Sequence, residues 1–466
     1  MRPLQKHEKT KEIIHLQYFK HYRMKYIFKT LLIATMATFL TVACTGRKSN
    51  TECRGKQIYI PNEFADMNFN DTLSRYCYER MDTTSPNIVY FWEKGFGKDF
   101  SNAPALDGED MTFDFEAMKI AAERFYIYYR DTLKFIAPGS LADKYRMMVM
   151  IDYSKESTAY GGAYDNKIGA IWVTPSRLRE ERFNCVAHEI GHAFQAQIAA
   201  DGLTSASGPI WEVTSQWMLF HVNPYWMTEE NYHWKNYMKH THIYPFSEET
   251  MYCNPYLAEY WSTKHGLEIM SRIWRNNTDV HDPILIYQSQ TGIDQKKFND
   301  ECFDAALHFI TYDLDRIRPY AKPYINGHVS KLIAIEGKDN CYSISTDMVP
   351  QCYGYNGVEL NVPEPGSEVT LSLSGEMPAD IKGEWNYALL PVTNDSIVDY
   401  NAALRTITTN GKGGEISYKV PEEGLSHLWL VVNAVPETHT PEKVETEWKY
   451  SVTLNGTTPQ IREKQN

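Results

Sequence analysis

The spacing of apolar residues predicts a mixture of helices and strands in the N-terminal two thirds of the chain. Between positions 115 and 129, apolar side chains recur every three or four residues, which predicts a helix with one buried face. Two apolar runs, 145–153 and 168–178, predict buried strands, and Pro175 ends the second. The Gly-rich segment AYGGAYDN lies between them. This mixture predicts an α+β domain, for which we set the bounds 86–345.

A longer helix is predicted to follow the second of these strands. It should begin near Arg179 and run to about Ala200, because Asp201 and Gly202 then supply a stop signal. After the Gly/Ser-rich break DGLTSASGP, the apolar stretch IWEVTSQWMLF predicts a further helix. Two neighbouring helices joined by one loop are therefore expected, the second running back along the first.

The pattern of apolar and turn-forming residues changes from about residue 355. Runs such as VELNV, EWNYALLPVT and HLWLVVNAVP alternate with turns rich in Gly, Pro and Asn. Several short strands at this spacing predict a C-terminal antiparallel β-sandwich, here assigned to residues 355–458. The predicted fold class is therefore α+β, with a boundary between positions 340 and 356.

The N-terminus has the features of an export signal. From Met24 a basic start leads into an apolar run, shorter than the roughly 20 residues that span a bilayer, which ends in TVAC at Cys44. This pattern resembles a bacterial lipoprotein signal, although Thr41 replaces the usual leucine. It implies a leader over 1–44, lipid modification of Cys44, and a polar tether over 45–85. A cleaved secretory signal or a short anchor is the alternative.

Composition narrows the possible partners. The net charge is -12 and the body of the chain has no broad basic block, which argues against a nucleic-acid partner. The eight cysteines form no CxxC pair, so they do not predict a cysteine-based zinc site. Export permits disulfides, but their pairing does not follow from spacing.

The clearest chemical signal is the motif HEIGH, within the longer of the predicted helices. Residues four apart lie on one face of a helix, so His188 and His192 can offer two imidazoles to one metal ion. Glu189 would then lie beside a water molecule bound to that ion. The alternative is a pair of core or surface histidines satisfied by ordinary hydrogen bonds.

A third ligand is available on the next predicted helix. Glu212 is the one acidic residue among apolar neighbours, and a buried carboxylate needs a partner. Two histidines and one glutamate leave a fourth position open to water, as in catalytic rather than structural zinc sites. Gln195 and Gln216 either orient these ligands or fill polar space between the helices.

The set His188, Glu189, His192 and Glu212 resembles the gluzincins, the zinc metallopeptidases of thermolysin type. The segments FWEKGFG, AYGGAYDNKIGAIWVTPSRL, VAHEIGHAFQAQ and IWEVTSQWM look like a family of Gram-negative bacterial lipoproteins with a gluzincin-like domain and no established substrate. The resemblance implies a zincin-like domain over 86–345, Zn²⁺ as cofactor and Glu189 as catalytic base.

This sequence departs from thermolysin at the residue that stabilises the oxyanion. Leu203 stands where thermolysin has a tyrosine. The open candidates for that role are Tyr160, Tyr256, Tyr260, His265 and His281.

Together these features predict zinc-dependent peptide-bond hydrolysis by a metallopeptidase anchored in the cell envelope. The expected partners are a peptide or glycoprotein substrate and, through the N-terminal lipid, a membrane. Because residues 45–48 lack the aspartate that retains some lipoproteins at the inner membrane, we expect an outer-membrane lipoprotein on its periplasmic or cell-surface face. The alternative function is a glycan- or protein-binding surface lipoprotein on a zincin scaffold with little turnover.

Overall fold

The computed structural model describes residues 55–203, 205–393, 397–398, 400, 404–409 and 412–460. The predicted leader with Cys44, and residues 45–54 of the predicted tether, lie outside these described residues. Within the described ranges, no helix combines the length and the apolar character that crossing a membrane requires.

Among the described residues, two helices interrupt the first group of strands, nine further helices follow it, and the remaining strands come after these helices, with 3-10 turns among the elements. The α-helices are α1 (Phe115–Ile127), α2 (Leu141–Lys144), α3 (Asn184–Ala200), α4 (Ile210–Val222), α5 (Trp226–Glu229), α6 (Asn231–Lys239), α7 (Tyr256–His265), α8 (Glu268–Trp274), α9 (Pro283–Thr291), α10 (Gln295–Thr311) and α11 (Arg318–Ala321). The strands are β1 (Met81–Asp82), β2 (Ile88–Trp92), β3 (Met147–Ile151), β4 (Ala159–Tyr164), β5 (Ile168–Val173), β6 (Leu332–Ala334), β7 (Cys341–Ile344), β8 (Tyr355–Leu360), β9 (Glu368–Gly375), β10 (Gly383–Thr393), β11 (Ile397–Val398), β12 (Leu404–Thr409), β13 (Lys412–Lys419), β14 (His427–Pro436) and β15 (Tyr450–Asn455). The fold is therefore α+β, as predicted.

Sheet 1 has the strand order β1-β2-β3-β5-β4, with β2, β3 and β5 parallel and both outer strands antiparallel. Both of its faces are covered, so every residue of β3 is buried, as the apolar run 145–153 predicts. Val149 belongs to the core that includes α1 and α3. On the opposite face, the sheet packs against Phe64, Phe69 and Tyr76, which belong to the segment predicted as a tether.

The Gly-rich segment between the two predicted strands is itself a strand, β4, at the edge of sheet 1. The sequence analysis did not predict this strand, because its two glycines interrupt the alternation of apolar residues that identifies a strand. Gly161 lies so close to α3 that an added Cβ would be 2.2 Å from the backbone oxygen of Glu189 and 2.5 Å from the Cβ of His192. A residue without a side chain is therefore required where β4 passes over the motif.

Replacing Gly161 by Ala should consequently destabilise the protein. The new methyl group has backbone on one side and must push β4 away from α3, at a cost of about 1–3 kcal/mol in the free energy of unfolding. Denaturant unfolding measures this loss. Gly162→Ala is the matched control, because its Cβ would lie 3.5 Å from the Trp172 ring, an ordinary contact. Equal stability of the two variants would contradict the close approach of β4 and α3.

Helix α3 begins later than the sequence predicts. A 3-10 turn occupies Pro175–Arg177, and Phe183 adopts a left-handed backbone conformation with φ 55°, so the helix starts at Asn184 rather than near Arg179. The Glu180 side chain accepts a hydrogen bond of 2.8 Å from the backbone N–H of Cys185, which satisfies one free donor of the first turn. The predicted end at Ala200 is confirmed.

The C-terminal strands form two further antiparallel sheets. Sheet 2 has the order β11-β10-β14-β8, with β12 also paired to β10, and sheet 3 has the order β13-β9-β15-β7-β6. Trp385 of sheet 2 meets Tyr450 of sheet 3, with ring centroids 5.4 Å apart. On its other side, sheet 2 contacts α10, where Asn299 donates a 2.9 Å hydrogen bond to the carbonyl of Pro436. Strands β6 and β7 precede position 355 in the chain, yet belong to sheet 3.

Candidate metal centre

A close crossing of α3 and α4 builds the site. Gly191, within HEIGH, faces Ser215 of α4, and a Cβ at 191 would lie 2.5 Å from the Ser215 hydroxyl. That hydroxyl donates a hydrogen bond to the carbonyl of His188. Glu212 lies one turn before Ser215 on the same face of α4. The contact between Ser215 and α3 therefore places the Glu212 carboxylate beside the two histidines.

Three side-chain atoms converge between the helices. The Nε2 atoms of His188 and His192 are 2.9 Å apart, and Oε2 of Glu212 lies 3.1 Å from each of them. His192 is buried, whereas the side chains of His188 and Glu212 retain 12% and 18% exposure. The structure therefore brings together the three residues predicted as metal ligands, with one side of the cluster open to solvent.

Two glutamines determine which nitrogen of each imidazole carries a proton. Gln216 donates its amide N–H to the carbonyl of Tyr252 at 2.7 Å, so its Oε1 faces Nδ1 of His188 at 3.1 Å. Gln195 donates to the carbonyl of Trp211 at 2.9 Å and turns its Oε1 to Nδ1 of His192 at 2.8 Å. An amide oxygen only accepts, so each Nδ1 must be the N–H donor.

The consequence is that each neutral imidazole presents an Nε2 lone pair to the centre of the cluster. A carboxylate oxygen completes the set, so three acceptors face one another without a donor between them. Such a group is stable only around a cation or after taking up protons. Of the two interpretations that the sequence left open for Gln195 and Gln216, the hydrogen bonds favour the first, in which the glutamines orient the histidines.

The donor set fits zinc. Tetrahedral Zn²⁺ with bonds of about 2.0–2.1 Å places its ligand atoms about 3.3 Å apart, close to the spacing in this cluster. Two imidazoles and one carboxylate leave the fourth position free, as in catalytic zinc sites. Among the described residues, this is the one group of three or more His, Cys, Asp or Glu side chains that could hold a metal ion. The six cysteines in the same part of the chain are unpaired thiols.

The pKa values of His192 and Glu212 also show that the cluster favours a positive charge between its three atoms. Burial lowers the pKa of His192, but the carboxylate of Glu212 outweighs it and raises this pKa to about 9. Burial acts to raise the pKa of Glu212, and the neighbouring His192 more than offsets it, leaving the pKa well below its ordinary value. Without a metal ion, a proton on imidazole can thus serve as the missing cation.

Glu189 lies on the same helix but makes no contact with the three converging atoms. It is 9% exposed, and no hydrogen-bond donor or ion-pair partner faces its carboxylate within the described part of the chain. Its charge nevertheless helps to raise the pKa of His192, so it lies near the cluster. A carboxylate left without a donor beside a metal site is available to accept a proton from water.

Four of the five residues considered for the oxyanion have other environments. Tyr256 is 1% exposed, and Tyr260 donates to Asp304, whereas His265 contacts Glu301 and His281 contacts the carbonyl of Ser205. The fifth, Tyr160, is 48% exposed on β4, the strand that passes over the motif.

Two aromatic residues beside His188 and His192 were not predicted to belong to the site. Trp211 stacks on the ring of His192 with centroids 5.4 Å apart, and the exposed ring of Tyr252 lies 6.2 Å from that of His188. Trp211 precedes Glu212 on α4, which was a signal for its location. Tyr252 lies in an irregular segment, where no periodicity indicates proximity.

Comparisons with known proteins place the chain in a family without assigning an activity. No curated protein matches. Two solved metallopeptidase structures from Clostridium perfringens are similar: ZmpB, at 13% identity over 76% of this chain and 69% of that one, with TM-score 0.29, and the M60 catalytic domain of ZmpC in complex with the sialyl T antigen, at 12% identity over 74% and 69%, also with TM-score 0.29.

A third similar structure is the CBM22-2 xylan-binding domain of Paenibacillus barcinonensis Xyn10C, at 19% identity over 28% of this chain and 88% of that one, with TM-score 0.18. At these TM-scores none of the three structural likenesses supports a function. A family model, in contrast, matches residues 50–461, which is most of the chain. The chain therefore belongs to the family of unknown function DUF6055.

Proposed function

We propose that this protein is a zinc-dependent metallopeptidase of gluzincin type. The observation that carries the proposal is the convergence of three acceptor atoms whose lone pairs are directed inward by Gln195 and Gln216. When both imidazoles are neutral these three atoms are all acceptors, so a proton or a metal ion must lie between them, and one metal ion satisfies all three at once. An open fourth position and a free carboxylate nearby then favour catalysis over a structural metal.

In the proposed mechanism, His188, His192 and Glu212 hold the metal. Zinc in such a site supplies Lewis-acid chemistry, polarising a carbonyl and lowering the pKa of water. Glu189 removes a proton from the attacking water and delivers it to the leaving amine. Because Trp211 stacks on His192 and Gln195 holds its Nδ1, the imidazole ring stays in one orientation throughout.

An extended peptide can reach these groups along β4. In the described part of the chain this strand pairs with β5 alone, so its other backbone edge is available for hydrogen bonding. Pairing of a substrate with an edge strand supplies affinity through the main chain, independent of its sequence. Strand β5, which corresponds to the predicted strand 168–178, is paired on both sides, whereas β4 is the edge strand and Gly161 keeps it against Glu189 and His192.

The test of this function is a substrate screen on the full chain loaded with zinc. Peptide, mucin and polysaccharide pools are incubated with the wild-type protein and with Glu189→Gln, and new amino termini are measured. Wild-type cleavage of a peptide or glycoprotein, absent in the variant, is expected. Tight binding of a pool member without new amino termini would instead favour a glycan- or protein-binding lipoprotein with little turnover.

We further propose that the protein is an outer-membrane lipoprotein attached through Cys44. The pattern TVAC after the apolar run is its support. Cys44→Ala should move the protein from the detergent-extracted membrane fraction to the soluble envelope fraction, because a single cysteine carries the lipid. Mass spectrometry of the wild-type N-terminus checks the modification directly. An unmodified N-terminus elsewhere, or full membrane recovery of Cys44→Ala, would contradict the proposal.

The proposed domain organisation is a zincin-like domain followed by a β-sandwich made of sheets 2 and 3. The contact between Trp385 and Tyr450 supports a shared core between the two sheets. Because β6 and β7 belong to sheet 3, a fragment meant to contain the whole sandwich should include residues 332–344 as well as 355–458.

A further inference from the structure

The pairing of β4 with β5 determines which backbone groups of β4 face the open edge of sheet 1. In an antiparallel pair, residues that bond to the partner strand alternate with residues whose N–H and C=O groups point away from it. The N–H of Thr174 donates a 3.2 Å hydrogen bond to the carbonyl of Thr158, so every second residue of β4 from Thr158 onward bonds to β5. The outward-facing residues between them are Ala159, Gly161 and Ala163.

The hydrogen bonds of β5 on its other side agree with this alternation. Val173, opposite one outward-facing residue, accepts a 3.0 Å hydrogen bond at its carbonyl from the N–H of Asp152. Gly169, opposite another, donates its N–H to the side chain of Gln197 at 2.9 Å. Within the part of the chain that the structure describes, the backbone groups of the three outward-facing residues form no hydrogen bond.

The middle one of these residues lies against the helix that carries the metal ligands. A Cβ on Gly161 would be 2.2 Å from the backbone oxygen of Glu189 and 2.5 Å from the Cβ of His192. The other two outward-facing residues, Ala159 and Ala163, lie one on each side of this point and about 14 Å apart, at about 3.4 Å per residue. A chain paired along the open edge therefore continues past the motif in both directions.

This two-sided edge bears on the kind of bond that can be cleaved. A peptidase that removes terminal residues has to stop the substrate chain on one side of the metal. Here each side of Gly161 offers a further N–H donor and C=O acceptor to a bound chain. The backbone of an extended polypeptide supplies the complementary groups at the same spacing.

We propose that the protein is an endopeptidase that binds an internal, extended segment of a polypeptide through Ala159, Gly161 and Ala163. This inference rests on the proposed peptidase function and specifies its substrate. Water adds across an amide bond within the bound segment, which breaks the C–N bond and gives one new carboxylate and one new amine. Pairing at all three outward-facing residues requires a segment of at least about five residues, because only every second residue pairs.

Peptides with blocked ends test the requirement for an internal segment. The probes are mixed-sequence peptides about ten residues long, roughly twice the length that the edge can pair, with acetylated and amidated ends or with free ends. Both sets should be cleaved at internal bonds and at similar rates by the full chain loaded with zinc. Blocked tripeptides should be cleaved at least roughly tenfold more slowly, because they lose part of the main-chain pairing. Cleavage confined to peptides with a free end would overturn the proposal.

Ala163→Pro is the decisive variant. Proline removes an outward N–H and places its ring on the open edge, while the hydrogen bonds between β4 and β5 remain, so folding and zinc content should not change. The kcat/KM for blocked peptides should fall roughly 10- to 100-fold, mainly through a higher KM, because main-chain pairing supplies affinity. If this variant does not fold, Ala159→Pro replaces it with the same expected loss.

Ala334→Pro is the matched control. Strand β6 is an edge of sheet 3, and the N–H of Ile335 donates a 2.9 Å hydrogen bond to the carbonyl of Cys341 on β7. Ala334, one residue before this bonded pair, therefore directs its backbone groups away from β7. The same substitution of an outward-facing alanine, on an edge that carries no part of the motif, should leave cleavage unchanged.

Binding to the zinc-loaded Glu189→Gln variant separates this inference from the proposed function. Blocked peptides should bind this variant in calorimetry, and adding Ala163→Pro should weaken binding by the same factor. Wild-type cleavage that Ala163→Pro leaves unchanged would overturn the pairing along β4 alone. Binding that Ala163→Pro abolishes, without cleavage by the wild-type protein, would overturn the peptidase function. A dimer in solution that Ala163→Pro dissociates would show that a second copy of the chain occupies the edge, and would also overturn the proposal.

Discussion

Replacing Glu189 by Gln should abolish most catalysis and leave the metal in place. Glu189 makes no contact with the three converging atoms, so bound zinc is expected to stay near one per chain. The amide keeps the size of the carboxylate but cannot accept a proton, so the hydrolysis rate should fall roughly 10²- to 10⁴-fold. Elemental analysis and initial rates on the same preparation measure the two effects separately.

The control for this substitution is Glu181→Gln, which removes one negative charge from an exposed residue just before α3. Its rate should match that of the wild-type protein, which would show that the effect at Glu189 does not arise from net charge. Two outcomes would contradict the assignment of Glu189 as the base. One is loss of zinc in Glu189→Gln, and the other is an unchanged rate with full zinc.

The sequence predicted that His188, His192 and Glu212 would lie together because part of this geometry is local. Residues four apart on one helix necessarily share a face, so His188 and His192 needed no knowledge of the tertiary fold. The prediction of Glu212 as the third residue required one assumption, namely that α4 returns along α3. The contact between Gly191 and Ser215 shows why these two helices pack so closely. Gln195 and Gln216 orient the imidazoles only because each donates a hydrogen bond to a backbone carbonyl of Trp211 or Tyr252. The positions of those two carbonyls do not follow from any sequence pattern.

What the sequence did not predict depends on contacts between distant segments. Strand β4 has Gly161 at the point where α3 passes directly over it, and the two glycines of this strand weaken the pattern by which a strand is recognised. The late start of α3 follows from the left-handed backbone of Phe183, an uncommon conformation for a large residue. Tyr252 lies beside His188 although it belongs to an irregular segment, where no sequence periodicity indicates which residues meet.

Removing a ligand should lower the zinc content as well as the rate of hydrolysis, whereas removing the base should lower the rate alone. Glu212→Ala deletes one of three coordinating atoms, so zinc affinity should fall by more than the roughly 10- to 100-fold typical of losing an outer-shell partner. His192→Ala should behave in the same way. Bound zinc after dialysis should then lie well below one per chain, with hydrolysis lost in proportion. Competition with a chelator of known affinity measures the change.

A graded series makes this prediction specific to the geometry. Gln195→Leu removes the acceptor that holds Nδ1 of His192 but leaves every coordinating atom in place, so it should cost only about 10- to 100-fold in zinc affinity. The expected order of affinity is wild type, then Gln195→Leu, then Glu212→Ala. Zinc should also raise the midpoint of thermal unfolding in that same order, because a ligand that binds the native state stabilises it in proportion to the logarithm of its affinity. Full zinc retention by Glu212→Ala would mean that the carboxylate is an ordinary hydrogen-bond partner of two histidines, and α3 would then carry no gluzincin site.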